Sequence, residues 1–165
     1  MTAQTSDVAT EPVSDSEALK RAIAFARDGD YESAIRCLKK SLDAKPEQEI
    51  AAGLLGSIYA ELGMVERAAE YFERVLGINS ENALARFQLG LLHFGAGRKR
   101  EALDTWSPSL SDPGEFVAHY YSGAALLQLE ESDKARSLLQ IAAQRMPPGH
   151  VLYPRLKELL RHLNS

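Results

Sequence analysis

Apolar positions in this chain recur at helical spacing, in segments that are separated by short polar or glycine-containing turns. One such segment places its apolar side chains on a single helical face, at Leu54, Leu55, Ile58, Tyr59 and Leu62. A glycine then stops the pattern, and a second amphipathic segment follows it. Apolar residues three and four positions apart share one face of an α-helix, and glycine accepts the left-handed backbone that ends one. The pattern therefore predicts helices joined in pairs by tight turns.

The helical pattern repeats with a period close to 34 residues. Glycines are spaced by 34 and 34, at Gly29, Gly63 and Gly97. Alanines are spaced by 34, 34 and 33, at Ala34, Ala68, Ala102 and Ala135. Two residue classes that share one register indicate a structural unit copied in tandem. A single helix pair cannot bury its apolar face alone, so neighbouring units are expected to stack.

The residues in this register resemble the signature of the tetratricopeptide repeat family. The second unit carries it at Leu55-Gly56, Tyr59, Gly63, Ala68 and Phe72, and the third at Leu89-Gly90, Gly97, Ala102 and Trp106. The first matches at Ala22, Phe25, Gly29-Asp30-Tyr31, Ala34, Leu38 and Pro46. The fourth matches less well, at Gly123, Leu126, Ala135, Leu139, Ala142 and Pro147, with Glu131 expected where the turn usually has glycine. The resemblance implies an all-α, right-handed α-solenoid of about four helical hairpins.

The chain divides into a tail, four repeats and a C-terminal helix. Residues 1–14 are acidic and lack an apolar period, so this tail is predicted to be disordered. The four units are placed at about 15–48, 49–82, 83–115 and 116–148. Residues 149–165 are predicted to hold a capping helix, because Pro154 suits a first helical turn and an apolar stripe follows it. Its members are Leu156, Leu159, Leu160 and Leu163.

The third unit departs from the other three in its second half. Pro108 falls inside the expected second helix, so this helix is predicted to end near Ser107. Asp112, Pro113 and Glu115 then suit an N-cap, a first-turn proline and a first-turn carboxylate for the next helix. The loop 107–113 is either a tolerated connection that keeps the repeat spacing or a segment that contacts the partner.

The family resemblance implies that function lies on a concave groove lined by the first helix of each unit. Laying the units in register places eight candidate binding residues on that wall: Leu19, Ile23, Ser57, Phe87, Leu91, Phe94, Tyr120 and Leu127. This groove is expected to be apolar, and aromatic toward its C-terminal half. Relatives that clamp a terminal carboxylate carry basic and amide residues at places where this chain has Leu19, Ile23, Gly53 and Ser57, so that type of clamp is not expected.

Two alternatives compete with peptide binding at the aromatic half of the groove. If Phe87, Phe94 and Tyr120 face solvent, they form an apolar patch of the type that binds a helix or an extended peptide. The rings could instead be ordinary core, buried by the curvature of the solenoid or by a neighbouring unit. Self-association through the same face is the third interpretation.

Charge and composition narrow the class of partner. The first seventeen residues carry four acids and no base, which equals the net charge of −4 for the whole chain. The rest of the chain is balanced and lacks the basic footprint that nucleic acid requires, so a protein or peptide partner is expected. No apolar run approaches the roughly 18 residues of a membrane span, and the N-terminus has no secretory pattern. We therefore expect no membrane insertion and a cytoplasmic location.

Signatures of catalysis are missing from the sequence. It contains no HExxH, no glycine-rich phosphate loop, no calcium loop and no GxSxG motif, so no catalytic residue, metal or cofactor is assigned. The lone Cys37 cannot form an internal disulfide and is taken as structural. His93 is expected in the core, whereas His119, His150 and His162 are expected on the surface.

The function predicted from these features is a non-catalytic protein-protein interaction module, either an adaptor or a scaffold. The alternative is a dedicated chaperone for a secreted or membrane-associated client protein. A third hypothesis, an enzyme subunit or minor catalyst, has no visible acid and base to support it.

Overall fold

The computed structural model describes residues 15–112 and 114–163. Within these residues the chain is helical and has no strand. The helices are α1 (Asp15–Arg27), α2 (Tyr31–Ala44), α3 (Glu49–Glu61), α4 (Val65–Ile78), α5 (Ala83–Gly95), α6 (Lys99–Trp106), α7 (Phe116–Gln128), α8 (Ser132–Arg145) and α9 (Tyr153–Leu163), with a short 3-10 helix at Ser107–Ser111. The all-α solenoid of four hairpins with a C-terminal capping helix is confirmed. The predictions for the tail 1–14 and for Pro113 lie outside the described residues.

Each hairpin sets a small residue of its first helix opposite a large residue of its second helix. The two stand sixteen positions apart in every unit, at Ala22 and Leu38, Gly56 and Phe72, Gly90 and Trp106, and Gly123 and Leu139. A Cβ on Gly56 would lie 2.9 Å from a ring carbon of Phe72, and one on Gly90 would lie 2.1 Å from Nε1 of Trp106. The helices of a pair thus approach closely because the first helix has no side chain in the way.

The turn inside each hairpin has one residue in the left-handed region. Gly29, Gly63 and Gly97 have φ of 80°, 70° and 78°, and the corresponding residue of the fourth hairpin is Glu130, with φ of 63°. The prediction of Glu131 at this place is wrong. The stretch between the turn of the third hairpin and the small residue in the first helix of the fourth hairpin is one residue shorter than the same stretch in the earlier units, so the fourth turn comes one residue earlier. A residue with a Cβ pays roughly 1–2 kcal/mol for this conformation.

Glu131 has a different place in the same turn. It is the residue before α8, and its carboxylate accepts a hydrogen bond of 2.6 Å from Nζ of Lys134. This hydrogen bond, and then the positive charge of Lys134, lower the pKa of the Glu131 carboxyl below its ordinary value.

The two ends of the stack present different surfaces. At the C-terminal end α9 packs on the fourth hairpin, where Leu156 is fully buried with Tyr120, Leu139 and Met146. At the N-terminal end α1 exposes charged residues at Glu17 and Arg21, 34 positions before the buried Ala51 and Leu55 of α3. A polar outer face of this type is typical of the terminal unit of a repeat array.

The third hairpin has a short second helix, as its proline predicts. Helix α6 ends at Trp106, and Pro108 lies in the 3-10 helix that follows. The predicted start of the next helix is wrong, since α7 begins at Phe116 with Glu115 in the cap position and no side-chain cap. Asp112 instead accepts a hydrogen bond of 2.7 Å from the backbone N–H of Gly114, which closes a local turn before the helix.

Candidate functional site

Three clefts lie along the wall that the first helices form. The N-terminal cleft, between α1 and α3, has a volume of about 280 Å³. The middle cleft, between α3 and α5, has a volume of about 250 Å³. The C-terminal cleft, among α5, α7 and α9, has a volume of about 280 Å³. Leu54 and Ser57 line both the N-terminal and the middle cleft, so these two are continuous across α3. The three clefts together are called the groove below.

Large aliphatic side chains stand exposed at the N-terminal and middle clefts. Ile23 of α1 is 50% exposed, Ile50 of α3 is 64% exposed and Leu84 of α5 is 67% exposed. Ile23 lines the N-terminal cleft, whereas Ile50 and Leu84 line the middle one. Ile23 was predicted from the sequence and the other two were not, although Ile50 and Leu84 are 34 positions apart and share one register.

Small residues of α3 form the floor between these side chains. Gly53 and Ser57 are one helical turn apart, and the Ser57 hydroxyl donates to the Gly53 carbonyl at 3.1 Å. The hydroxyl is therefore bonded within its own helix. A Cβ at Gly53 would meet only Val75, at 3.9 Å, so this glycine is not required by close packing. Because the side chains on this part of α3 are small, the floor leaves room for a side chain of an incoming segment.

The aromatic residues of the C-terminal half pack against one another. Trp106 is fully buried, and its ring centroid lies 6.4 Å from Phe87, 6.1 Å from Phe94 and 5.8 Å from Tyr121. Its indole N–H donates to the Phe87 carbonyl at 3.3 Å. Phe87, Phe94, Trp106 and Tyr121 are called the aromatic cluster below. Phe87 and Phe94 are thus partly buried and do not stand alone in solvent.

Tyr120 lies in the core. It is only 7% exposed and packs edge-on against Tyr121, with ring centroids 5.1 Å apart. Burial raises the pKa of its phenol, and the neighbouring Tyr121 adds to this effect. The sequence had placed this ring on the groove wall, but the packing of α9 over the fourth hairpin buries most of it. Tyr120 still lines the C-terminal cleft from within, beside Leu127 of the same helix.

Five of the eight predicted groove residues line one of the three clefts. They are Ile23, Ser57, Phe94, Tyr120 and Leu127. The other three lie outside these linings: Leu19 packs on the core of the N-terminal hairpins, Phe87 belongs to the aromatic cluster, and Leu91 is partly buried. The register thus predicted residues that line clefts, and it did not resolve which side chains remain accessible; that these clefts bind a partner stays a prediction.

The two acids that line the groove are engaged within the protein. Glu61 accepts a hydrogen bond of 2.8 Å from the Tyr31 hydroxyl, which raises the pKa of that phenol. Glu49 accepts hydrogen bonds from the side-chain amides of Asn79 at 3.1 Å and Asn82 at 2.6 Å. The Tyr31–Glu61 and Asn82–Glu49 hydrogen bonds each join one hairpin to the next. Both carboxylates keep their negative charge, but the hydrogen bonds hold them against the protein.

Arginines stand at the two ends of the groove. Arg27 lines the N-terminal cleft, and its guanidinium is 3.9 Å from the carboxylate of Asp28. Arg155 of α9 lines the C-terminal cleft and donates to the Glu158 carboxylate at 2.6 Å. Both side chains are largely exposed, at 79% and 61%. Each end of the groove therefore carries one largely exposed, positively charged side chain.

The histidines do not assemble a reaction centre. His119 was expected on the surface, and this is wrong: it is buried, with Nδ1 3.0 Å from the Glu115 carbonyl oxygen. His93 is partly buried, as expected, with Nδ1 3.5 Å from a carboxylate oxygen of Glu101. In the described part of the chain, no group of three or more His, Cys, Asp or Glu is arranged to hold a metal ion. Within the same residues no helix has the length and apolarity needed to cross a bilayer.

Comparison with known proteins agrees with this architecture. The sequence profile described as tetratricopeptide repeat matches residues 19–83 and again 65–107. Anaphase-promoting complex subunit 8 of Arabidopsis thaliana is 30% identical over 115 residues, which are 66% of this chain and 17% of that protein. The chain thus spans about a sixth of the length of this relative.

Solved structures show the same fold. A crystal structure of MamA protein superposes with a TM-score of 0.77 at 23% identity, covering 91% of this chain and 86% of the other. A double mutant of MamA from RS-1 gives a TM-score of 0.75 at 19% identity, covering 91% and 94%. The profile match extends over more than half of the chain, and the hairpins, turns and small-to-large helix contacts repeat in its register. This chain is a member of the tetratricopeptide repeat family.

Proposed function

We propose that this chain is an adaptor or scaffold whose groove binds a helix or peptide of a partner protein. The observation that carries the proposal is the set of exposed aliphatic side chains that line the continuous N-terminal and middle clefts, Ile23, Ile50 and Leu84. Large apolar side chains grouped on one surface mark sites of protein association. The small floor of α3 at Gly53 and Ser57 gives this row a depression in which an incoming side chain can be seated.

The shape of the groove favours a segment with several apolar anchors. An amphipathic helix presents such anchors at positions i, i+3, i+4 and i+7, and an extended peptide presents them at alternate positions. The exposed apolar side chains of the N-terminal and middle clefts are aliphatic, and the C-terminal cleft adds the aromatic rings of Phe94 and Tyr121. Because Glu49 and Glu61 are already hydrogen-bonded, burial of the groove's centre leaves no unpaired carboxylate there.

Peptides selected by display on the wild-type chain provide the probe for this proposal. The groove variant replaces Ile23, Ile50 and Leu84 with aspartate. Each of these side chains contributes roughly 1.5–3 kcal/mol when it passes from exposed to fully buried. They start 50–67% exposed, so each can contribute at least half of that amount. The triple variant is therefore expected to weaken the binding measured by calorimetry at least a hundredfold, with helical content unchanged in circular dichroism.

A matched control separates the groove from general surface effects. Leu62, Ile78 and Val151 are also exposed apolar residues, and they line none of the three clefts. Changing these three to aspartate adds the same charge and removes the same kind of surface. The control is expected to bind the selected peptides as the wild type does. Equal affinity of the groove variant and the wild type, or equal loss in the two variants, contradicts the proposal.

A further inference from the structure

The C-terminal cleft differs from the other two clefts in the charge that lines it. Of the described residues in its lining, Arg155 alone is charged, whereas the linings of the N-terminal and middle clefts include the carboxylates of Glu61 and Glu49. The surroundings of the C-terminal cleft have the same sign, because the chain from residue 132 onward has six basic residues and two acidic ones. A positive charge beside an apolar cleft favours a ligand that carries a negative group next to an apolar part.

Arg155 has N–H groups to spare for such a ligand. Its side chain is largely exposed, and Nη1 donates to a carboxylate oxygen of Glu158, one turn further along α9, at 2.6 Å. A guanidinium has five N–H groups in a planar fork, so this hydrogen bond leaves most of them available. Helix α9 is held against the fourth hairpin by the buried Leu156 and by a hydrogen bond of 2.6 Å from Arg136 to the Leu163 carbonyl. The guanidinium therefore stands on a firmly packed wall of the cleft.

The hydroxyl of Tyr120 is a second donor at the same cleft. The residue is only 7% exposed, it lines the cleft, and its hydroxyl makes no hydrogen bond to any residue that the structure describes. Burial raises the pKa of this phenol, Tyr121 adds to the rise, and the charges of Arg155 and Glu158 act on the pKa in opposite directions. The hydroxyl therefore lies near the α9 side of the cleft and stays protonated at neutral pH. A buried hydroxyl without a partner gains a hydrogen bond when an acceptor enters.

We propose that the C-terminal cleft binds an acidic side chain, aspartate or glutamate, of the partner segment that lies in the groove. Arg155 pairs with the carboxylate of this side chain, and the Tyr120 hydroxyl donates a hydrogen bond to it. The rings of Phe94 and Tyr121 pack against an apolar neighbour of the acidic residue. Glu158 competes for the same guanidinium and repels the incoming carboxylate, which limits the affinity. The assignment rests on the proposed binding function, and it adds the sign of the partner's charge and the place where that charge lies.

Peptides selected by display on the wild-type chain are again the probe, with calorimetry as the measurement. These peptides are expected to carry aspartate or glutamate at one fixed position relative to their apolar anchors. Changing that residue to its amide is expected to weaken binding at least about tenfold, because the amide loses the charge that both donors recognise. Arg155→Gln and Tyr120→Phe are each expected to weaken the acidic peptide roughly fivefold and to leave the amide peptide unchanged. Glu158→Gln is expected to strengthen binding of the acidic peptide roughly threefold, since it removes the competing carboxylate.

Lys157→Gln is the matched control for Arg155→Gln. Lys157 is also an exposed cation of α9, but its Nζ lies 5.8 Å from the centroid of the Tyr153 ring and it does not line the cleft. The two variants change the net charge of the chain equally, so Lys157→Gln is expected to keep the affinity within about twofold. Circular dichroism is expected to show wild-type helical content for Tyr120→Phe, which keeps the buried ring and loses only the hydroxyl.

Three results overturn the acidic-residue site. They are a selected set with no preference for acidic residues, an equal loss of affinity in Arg155→Gln and Lys157→Gln, and a loss that follows amidation of the peptide's C-terminus instead of the side-chain change. The last of these assigns the cleft to a terminal carboxylate. Each can occur while the aspartate variant of Ile23, Ile50 and Leu84 abolishes binding, in which case the groove function stands and the acidic-residue site fails. Wild-type affinity of that groove variant contradicts the groove function itself, so the two failures are distinguishable.

Discussion

Replacing Gly90 with alanine tests the close helix contact on which the third hairpin depends. The added Cβ would lie 2.1 Å from Nε1, 2.3 Å from Cε2 and 2.7 Å from Cδ1 of Trp106, where ordinary contact begins near 3.4 Å. The indole is fully buried, so it must move by more than an ångström inside a filled core. Such a movement also breaks its hydrogen bond to the Phe87 carbonyl, now 3.3 Å long.

The expected cost follows from three contributions. Forcing an extra methyl group into a packed core costs about 1–3 kcal/mol. Leaving the buried indole N–H without its acceptor costs about 1–3 kcal/mol more. The better helix propensity of alanine offsets about 1 kcal/mol of this sum. We therefore expect Gly90→Ala to lower the free energy of unfolding by about 1–5 kcal/mol.

Urea unfolding followed by far-ultraviolet circular dichroism measures this change, because it does not depend on the tryptophan signal. Gly77→Ala is the matched control, since Gly77 lies in α4 and a Cβ there would meet nothing within 4 Å. This control is expected to stabilise the chain by up to about 1 kcal/mol. The double variant Gly90→Ala with Trp106→Leu recreates the pair that Ala22 and Leu38 form in the first hairpin, and it should recover part of the loss.

The reasoning is refuted if Gly90→Ala is as stable as the wild type while Gly77→Ala shows its gain. It is also refuted if the leucine at position 106 destabilises the Gly90→Ala chain as much as it destabilises the wild type. Either result would mean that the glycine and the indole do not constrain each other.

Three further predictions concern turns and caps. Glu130→Gly relieves the left-handed strain at φ of 63° and is expected to raise the free energy of unfolding by up to about 1 kcal/mol, measured by urea titration. Asn82→Ala is expected to lower the free energy of unfolding by about 1–2 kcal/mol, because the Asn82 side chain caps α5 by accepting a hydrogen bond from the N–H of Ala85 at 2.7 Å. A thermal melt measures this change, and an unchanged melting temperature would mean that the cap does not stabilise the chain. The hydrogen bonds that Ser33 makes to Asp30, from its side chain and then its backbone, lower the pKa of that carboxyl below 3.8. A lowered folded pKa contributes stability above the unfolded value that is lost as the pH falls through the folded value, so acid titration should show a decline below about pH 4 that is smaller in Asp30→Asn than in the wild type.

The fold could be predicted because its constraints are local and repeat. A glycine at three of the four turns and a small residue opposite each large one leave a period close to 34 that the sequence shows directly. The fourth turn was placed one residue too late, at Glu131, because the unit shortens by one residue before Ala135. Glutamate at position 130 gives no composition signal of a left-handed turn, so only the alanine spacing could have located it.

Only those features of the site that follow from the repeat register could be predicted from the sequence. Register named Ile23 and Ser57, which line clefts in the structure, and the same reasoning applied to the first helical turn would have found Ile50 and Leu84. Accessibility depends on tertiary contacts that the local pattern does not contain. Tyr120 is covered because α9, from the far end of the chain, packs over the fourth hairpin.

The central claim is that a partner segment lies across the first helices. Amide chemical shifts recorded while a display-selected peptide is titrated into the chain test this claim most directly. The account predicts that the largest changes occur in α1, α3 and α5, around Ile23, Ile50 and Leu84. Changes confined to the second helices α2, α4 and α8, with the first helices unaffected, would contradict it.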